Sequence, residues 1–336
     1  MARSKKPEWL RQCVLAGKEF SFKSKTPWKH NLINLSVFTT LWAIVGGVLA
    51  AGTVVEPLYY IPWAAPVMGF AFFCLYILVI HEASHGMFVL AEGRQRRIFL
   101  NRLFAWPVSL FFFTHYGKLW EVGHLEHHVR PIEEDDPQSL NRVTGPKLFL
   151  GLFALLFIPG YVFIQRVFVR SKLQQKGSSW WIPPAGLVIL GSFMFAAYMT
   201  VGWWASLTIL MAMQFLSALN EIKGALEHGG EIAFHPEPLL RSRTSLFPGR
   251  NLIMPLNISM HFEHHLNHTV PWYDLMNYHR AIYPLVPEEL RSNIFNHDIL
   301  TQLRGELDAP MTEEMREAYH DLTAGGDDGL MPAAAE

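Results

Sequence analysis

The sequence predicts an all-α integral membrane protein, with four transmembrane helices in two hairpins, interfacial helices, and a helical cap on the cytoplasmic side. Three observations predict it. Half of the 336 residues are hydrophobic and only 17% are charged, against about 25% charged in an ordinary soluble domain. Uncharged apolar runs reach the roughly 20 residues that a membrane crossing requires. Basic residues gather where the chain leaves those runs. The first run covers residues 32–55 and the second 58–80, with Pro62 and Pro66 near its start. Only Glu56 and Pro57 separate them, so they read as a tight helical hairpin. A third run, 180–219, holds no charged residue. It is too long for one crossing and long enough for two, with a turn at Thr200, Val201 and Gly202. Two further stretches are ambiguous. Residues 98–117 are interrupted by Arg102 and Pro107, and residues 148–165 contain Pro159 and Gly160.

Charge sets the expected topology. Residues 1–30 carry eight Lys/Arg against two Glu, whereas the turns at 56–57 and 200–202 carry none. The positive-inside rule then places the N-terminus in the cytoplasm and both turns outside. Arg166, Arg170, Lys172 and Lys176 belong inside as well. A single crossing by 148–165 would put them outside, so that segment is expected to be interfacial or re-entrant. The start of the chain does not read as a signal peptide, because the apolar run behind it is too long and lacks a small-residue cleavage site. The expected division is a basic N-terminal segment (1–31), a membrane domain (32–285), a helical C-terminal extension (286–322) and a flexible tail (323–336). A net charge of −1 gives no global field for nucleic acid. Cys13 and Cys74 are too far apart for a CxxC pair, which removes a Cys-based zinc or iron–sulfur site.

Histidine is the unusual residue, with 16 copies. His81 and His85 form an HxxxH box directly after the second apolar run. His124, His127 and His128 form an HxxHH box, and His261, His264 and His265 form another. On a helix, residues three or four apart share a face, so each box offers a fan of imidazoles. Two crossings precede the first box, none separates the first from the second, and two separate the second from the third. All eight therefore fall on the cytoplasmic side, an agreement independent of the Lys/Arg count. A tetrahedral zinc uses four ligands, so eight imidazoles suit two transition metals at four each. Imidazole binds iron, zinc, copper and nickel, and ligand type alone does not choose among them.

In these boxes and their order the sequence resembles the membrane fatty acid desaturase and hydroxylase superfamily, over about residues 35–285. Asp135, Asp136 and Pro137 after the second box, and Leu266, Pro271 and Leu275 after the third, match further details of that family. The resemblance implies a centre of two Fe ions that activates O2 at the cytoplasmic surface, and desaturation or hydroxylation of an unactivated C–H bond on a fatty acyl or similar lipid chain. It also implies a further ligand at His228, in the stretch Leu226, Glu227, His228, Gly229. An alkane or carotenoid-type hydroxylase or ketolase would use the same scaffold. No cysteine set, haem-binding module or GxGxxG is present, so electrons are expected from a ferredoxin or cytochrome b5-type donor with its reductase. Arg94, Arg96, Arg97 and Arg130 could steer that donor. The expected location is a bacterial inner membrane.

Other residues weigh less. His268 and His235 are secondary ligand candidates. His115, His279, His297 and His320 read as ordinary, and His30 as interfacial. Among Glu121, Glu126, Glu227, Asp135, Asp136 and Glu263, some should accept the second N–H of a ligating histidine. His81, Glu82 and His85 also spell HExxH, the zinc metalloprotease motif, but a protease leaves both HxxHH boxes surplus. A haem-binding sensor or carrier needs one or two axial ligands, not eight.

Overall fold

The computed structural model describes residues 6–133, 136, 138, 143–163, 179–313 and 315. Asp135, Pro137, Arg166, Arg170, Lys172, Lys176, His320 and the tail 323–336 lie outside the described residues.

Four helices among the described residues are long and apolar enough to cross a membrane: Pro27–Ala51, Pro57–Ser84, Ile182–Thr200 and Trp203–His228. The first begins before the apolar run does. Thr26 is extended and Pro27 opens the helix with the fixed φ that its first turn needs, so Lys29, His30 and Asn31 become helical. The second does not stop at Ile80 but continues through a π-helical turn, Tyr76–His81, to Ser84. The third ends at Val201 and Gly202, where Gly202 takes φ 133°, a conformation open to glycine. Trp204 Nε1 donates to Gly52 O at 3.0 Å and ties the two hairpin turns together at one end of the bundle. The histidine boxes occupy the opposite end.

The second and fourth spans form the centre of the bundle, being 78% and 56% buried, while the first and third are 22% buried and present apolar side chains outward. The central pair packs closely because Gly69 has no side chain; a Cβ there would come within 2.8 Å of Ala212 O.

The two ambiguous stretches are resolved. Arg94–Phe111 is a helix with Pro107 inside it, and its arginines keep it out of the set of possible spans. Gly145–Phe157 is a helix of 13 residues, about 20 Å long at 1.5 Å per residue, short of a membrane's apolar thickness. Its end is capped from within the bundle. Gln214, midway along the fourth span, donates from Nε2 to Leu155 O (2.5 Å) and Ile158 O (2.9 Å) and accepts from Gly160 N (2.9 Å). Broken backbone at membrane depth requires such partners, so this helix enters the bundle and stops, as a re-entrant element does.

Around the boxes lies a second apolar core. The N-terminal segment, expected only as a basic tail, contains the helix Glu8–Phe20. Its buried Leu10 and Cys13 join a cluster with Met260, Phe262, Leu275, Tyr278 and Leu290. Among the described residues of the expected C-terminal extension, the helices Glu288–Ile294 and Ile299–Arg304 are separated by an extended pair, Phe295 and Asn296, which runs parallel to Thr244 and Ser245. The Asp298 side chain accepts from Leu300 N and Thr301 N and so starts a new helix rather than continuing the old one.

Candidate metal centre

Two π-helical turns deliver the first two boxes. Tyr76–His81 ends on the first box, and Tyr116–Val122 leads into the helix Gly123–Val129 that carries the second. A π-turn inserts an extra residue and re-aims the side chains that follow. The third box forms its own short helix, His261–Leu266.

The nine histidines His81, His85, His124, His127, His128, His228, His261, His264 and His265 converge, but not as two sets of four. His81, His85, His124, His128 and His264 form one group, and His127, His228, His261 and His265 form the other. Within each group, one nitrogen per ring lies within 4.8 Å of all the others. The groups abut, with His128 and His265 ring centroids 4.4 Å apart. Helical geometry explains the division. At about 100° per residue, i+4 lies about 40° from i on one side and i+3 about 60° from i on the other, so i+3 and i+4 diverge by about 100°. His124 and His128 therefore stay together and His127 crosses to the other group. His261 and His265 stay together and His264 crosses.

Three imidazoles are hydrogen-bonded through Nδ1, which leaves Nε2 facing inward, and a fourth has its Nδ1 beside a carboxylate. His127 Nδ1 donates to Asp136 Oδ2 at 2.7 Å. His228 Nδ1 donates to Arg241 O at 2.7 Å. His124 Nδ1 lies 2.9 Å from the Gln138 side-chain amide. His261 Nδ1 lies 3.1 Å from Glu227 Oε1, whose other oxygen accepts from Lys223 Nζ at 2.6 Å. The inward nitrogens then confront one another. His261 Nε2 is 2.9 Å from His228 Nε2 and 3.1 Å from His265 Nε2, and His124 Nε2 is 3.3 Å from His128 Nε2. His127 and His228, which donate from Nδ1, have only a lone pair at Nε2, and lone pairs turned into a buried cluster of other ring nitrogens are sites for a cation. Further ring nitrogens of His81, His85, His128, His264 and His265 are buried with no hydrogen-bond partner. These donors fit transition-metal cations.

The imidazoles outside the membrane-spanning helices are held neutral. Burial first, then charge on neighbouring groups, pushes His85, His124, His128, His261, His264 and His265 well below 6.5. A neutral ring is the form that binds a metal. Burial alone would raise Asp136. The attraction of His127, and hydrogen bonds from His127, Gln138 N and Ile132 N, outweigh it and hold the carboxylate below 3.8.

The carboxylate candidates divide. Asp136 and Glu227 approach box or His228-group imidazoles. Glu263 turns away from them, accepting from Thr244 Oγ1 and from His279 Nδ1, the latter at 2.6 Å. Glu121 pairs instead with Arg102 at 2.9 Å, and Glu126 is exposed, so neither orients a box histidine. Glu82 is buried with Oε1 3.6 Å from His81 Nδ1.

Several remaining histidines are also placed differently from expectation. His235 is engaged at both nitrogens, with Glu237 N (3.0 Å) and Pro310 O (3.0 Å), which leaves none for a metal. His268 stands outside both groups, stacked on His85 at 5.1 Å. His30, near the start of the first span, is buried, with Nε2 2.5 Å from Met87 O and Nδ1 2.7 Å from Tyr273 OH. With Asn34 and Asn101 it satisfies the irregular backbone that follows the first box. His279 is the buried partner of Glu263, His115 accepts from Lys118 N, and His297 is exposed. Sequence reasoning missed Gln138 and Arg241. No motif marks the first, and the second acts through its backbone carbonyl, which any residue carries.

A family model described as "Fatty acid desaturase" matches residues 57–293, a stretch that contains all nine histidines. No curated protein matches the chain.

Proposed function

The chain belongs to the fatty acid desaturase family, and on that footing we propose that it is an O2-dependent di-iron enzyme that desaturates or hydroxylates an unactivated C–H site on a fatty acyl or similar lipid chain. The family makes it an oxidoreductase of an integral membrane type. The observation that carries the di-iron reading is the pair of abutting imidazole groups, in each of which one buried ring nitrogen per histidine lies within 4.8 Å of all the others. His81, His85, His124, His128 and His264 would hold one Fe ion, and His127, His228, His261 and His265 the other. Once bound, such a centre supplies the O2 activation that C–H oxidation requires. The chain's own residues favour the neutral form of His85, His124, His128, His261, His264 and His265 by burial, fix three rings through Nδ1, and exclude water with Trp120, Tyr76 and Phe112 packed behind the first group. The apolar hairpins suit a long hydrocarbon arriving from the bilayer.

Electrons would come from a ferredoxin or cytochrome b5-type donor docking on the cytoplasmic face, where Arg94 and Arg96 are exposed. A bacterial inner membrane, with the N-terminus and the centre on its cytoplasmic side, is consistent with the distribution of Lys and Arg. The metalloprotease reading of His81, Glu82 and His85 needs a zinc with three protein ligands, whereas three further imidazoles crowd those two. The test is metal analysis of purified protein, joined to product analysis by mass spectrometry with a redox partner. Two irons per chain, and an O2-dependent product lacking two hydrogens or carrying one added oxygen, support the reading. A single zinc per chain overturns it.

A further inference from the structure

We propose that residues 241–244 form a positioning strap that sets the place of His228 and through it the geometry of the four-imidazole group, with Arg241 and Arg243 as its positioning residues. This rests on reading the groups as metal sites.

The strap reaches every stretch of chain that supplies the four imidazoles. Arg241 O accepts from His228 Nδ1. The Arg241 guanidinium extends the other way, donating through Nε to His235 O (2.6 Å) and through a terminal nitrogen to Pro131 O (3.0 Å), with Glu133 Oε1 at 3.4 Å. Pro131 and Glu133 follow the helix that carries His127, so Arg241 grips that helix just past its end. Arg243 N donates to Glu227 O at 3.0 Å, immediately before His228, and its guanidinium donates to Gly229 O at 3.2 Å, immediately after it. The Thr244 hydroxyl donates to Glu263 inside the third box, and Thr244 bridges to Met260, the residue before His261.

Arg243 is fully buried, and among the described residues its guanidinium hydrogen-bonds only backbone carbonyls: Gly229, Asn293 (3.0 Å), Leu307 (2.8 Å) and Asp308 (2.6 Å). Burying a charge without a carboxylate is costly, and an apolar residue of like volume often stabilises a fold as well or better. A planar fork, however, can clamp several chain segments in fixed directions. Here it joins the end of the fourth span to residues 293 and 307–308, so the C-terminal extension helps to hold His228. The five-imidazole group has no equivalent. Among the described residues its one hydrogen bond from outside the histidines is Gln138 on His124; the strap's contacts at Pro131, Glu133 and Glu263 fall on stretches that also carry His124, His128 and His264, but its one bond to a ring, and the Arg243 clamp on either side of it, are at His228.

The experiment loads detergent-purified full-length protein anaerobically with ferrous iron, and reads iron per chain and the Mössbauer signals of the two sites. Arg243→Lys should keep one iron at wild-type affinity and bind the other about 10–100-fold more weakly, the range seen when a group that orients a metal ligand is removed. Gln138→Leu should weaken the opposite iron. Should Arg243→Lys fail to accumulate folded protein, Arg241→Gln, with a partly exposed side chain, carries the same test. Equal loss of both irons in a folded strap variant, or wild-type binding of both, overturns the strap. Wild-type protein that never binds a second iron overturns the di-iron reading instead.

Discussion

The two imidazole groups sit side by side yet are held by different means. In the group of four, His127 leans on Asp136 and His228 on the Arg241 carbonyl, while His261 and His265 have a buried Nδ1 with no hydrogen-bond partner, the former 3.1 Å from Glu227, which is itself paired with Lys223. In the group of five, among the described residues, only His124 has such a partner, Gln138, while His81, His85, His128 and His264 have buried ring nitrogens with no hydrogen-bond partner and rest on ring packing against Trp120, His268 and one another. Half of the first group is thus positioned by directional polar contacts. The second is positioned by helix geometry, by the π-helical turns before its boxes, and by the number of its rings. His85 is also the one imidazole of the nine that is not fully buried. The difference teaches that similar donor sets can be built with unequal tolerance to change.

That asymmetry can be broken outright or graded. Alanine at His128 or at His265 should reduce turnover to background in both cases, with iron analysis showing the loss beginning in the group that was cut. Acid should empty both groups. The folded-state values of His85, His124, His128, His261, His264 and His265 lie well below 6.5, so below about pH 6.5 the unfolded chain takes up protons that the folded site refuses. Stability and metal retention therefore fall as pH drops through that value and are unaffected above it. Because Asp136 stays ionised to below 3.8, the group of four should release its iron at the lower pH in a dialysis series. Asp136→Asn should then weaken iron in that group about 10–100-fold, leaving the other unchanged by titration. Gln138→Leu should give the smallest effect, under about tenfold and confined to the group of five, since four other rings remain there.

Much of this was legible in the sequence, for reasons that can be named. Hydropathy located the four spans to within a few residues because apolar length is what a bilayer demands, and Gly202 marked a turn that glycine alone makes cheaply. The boxes were legible as boxes. Their division into five and four was less so, although the 100° between i+3 and i+4 contains it. His30 read as interfacial and His279 as ordinary because burial depends on what packs over a residue, here residues 87 and 273 for the one and Glu263 for the other. The strap was invisible because its key contacts are backbone carbonyls and a short parallel ladder between segments 50 residues apart in sequence. The break between the two helices of the C-terminal extension was not legible, because Asn296 and Asp298 interrupt its helical pattern in a way that only the pairing with Thr244 and Ser245 explains.

The most direct measurement is iron-edge X-ray absorption on purified, metal-saturated protein together with metal quantitation. The account predicts two irons per chain in a nitrogen-dominated imidazole environment. One metal per chain, or a coordination shell built chiefly from oxygen or sulfur, would contradict it.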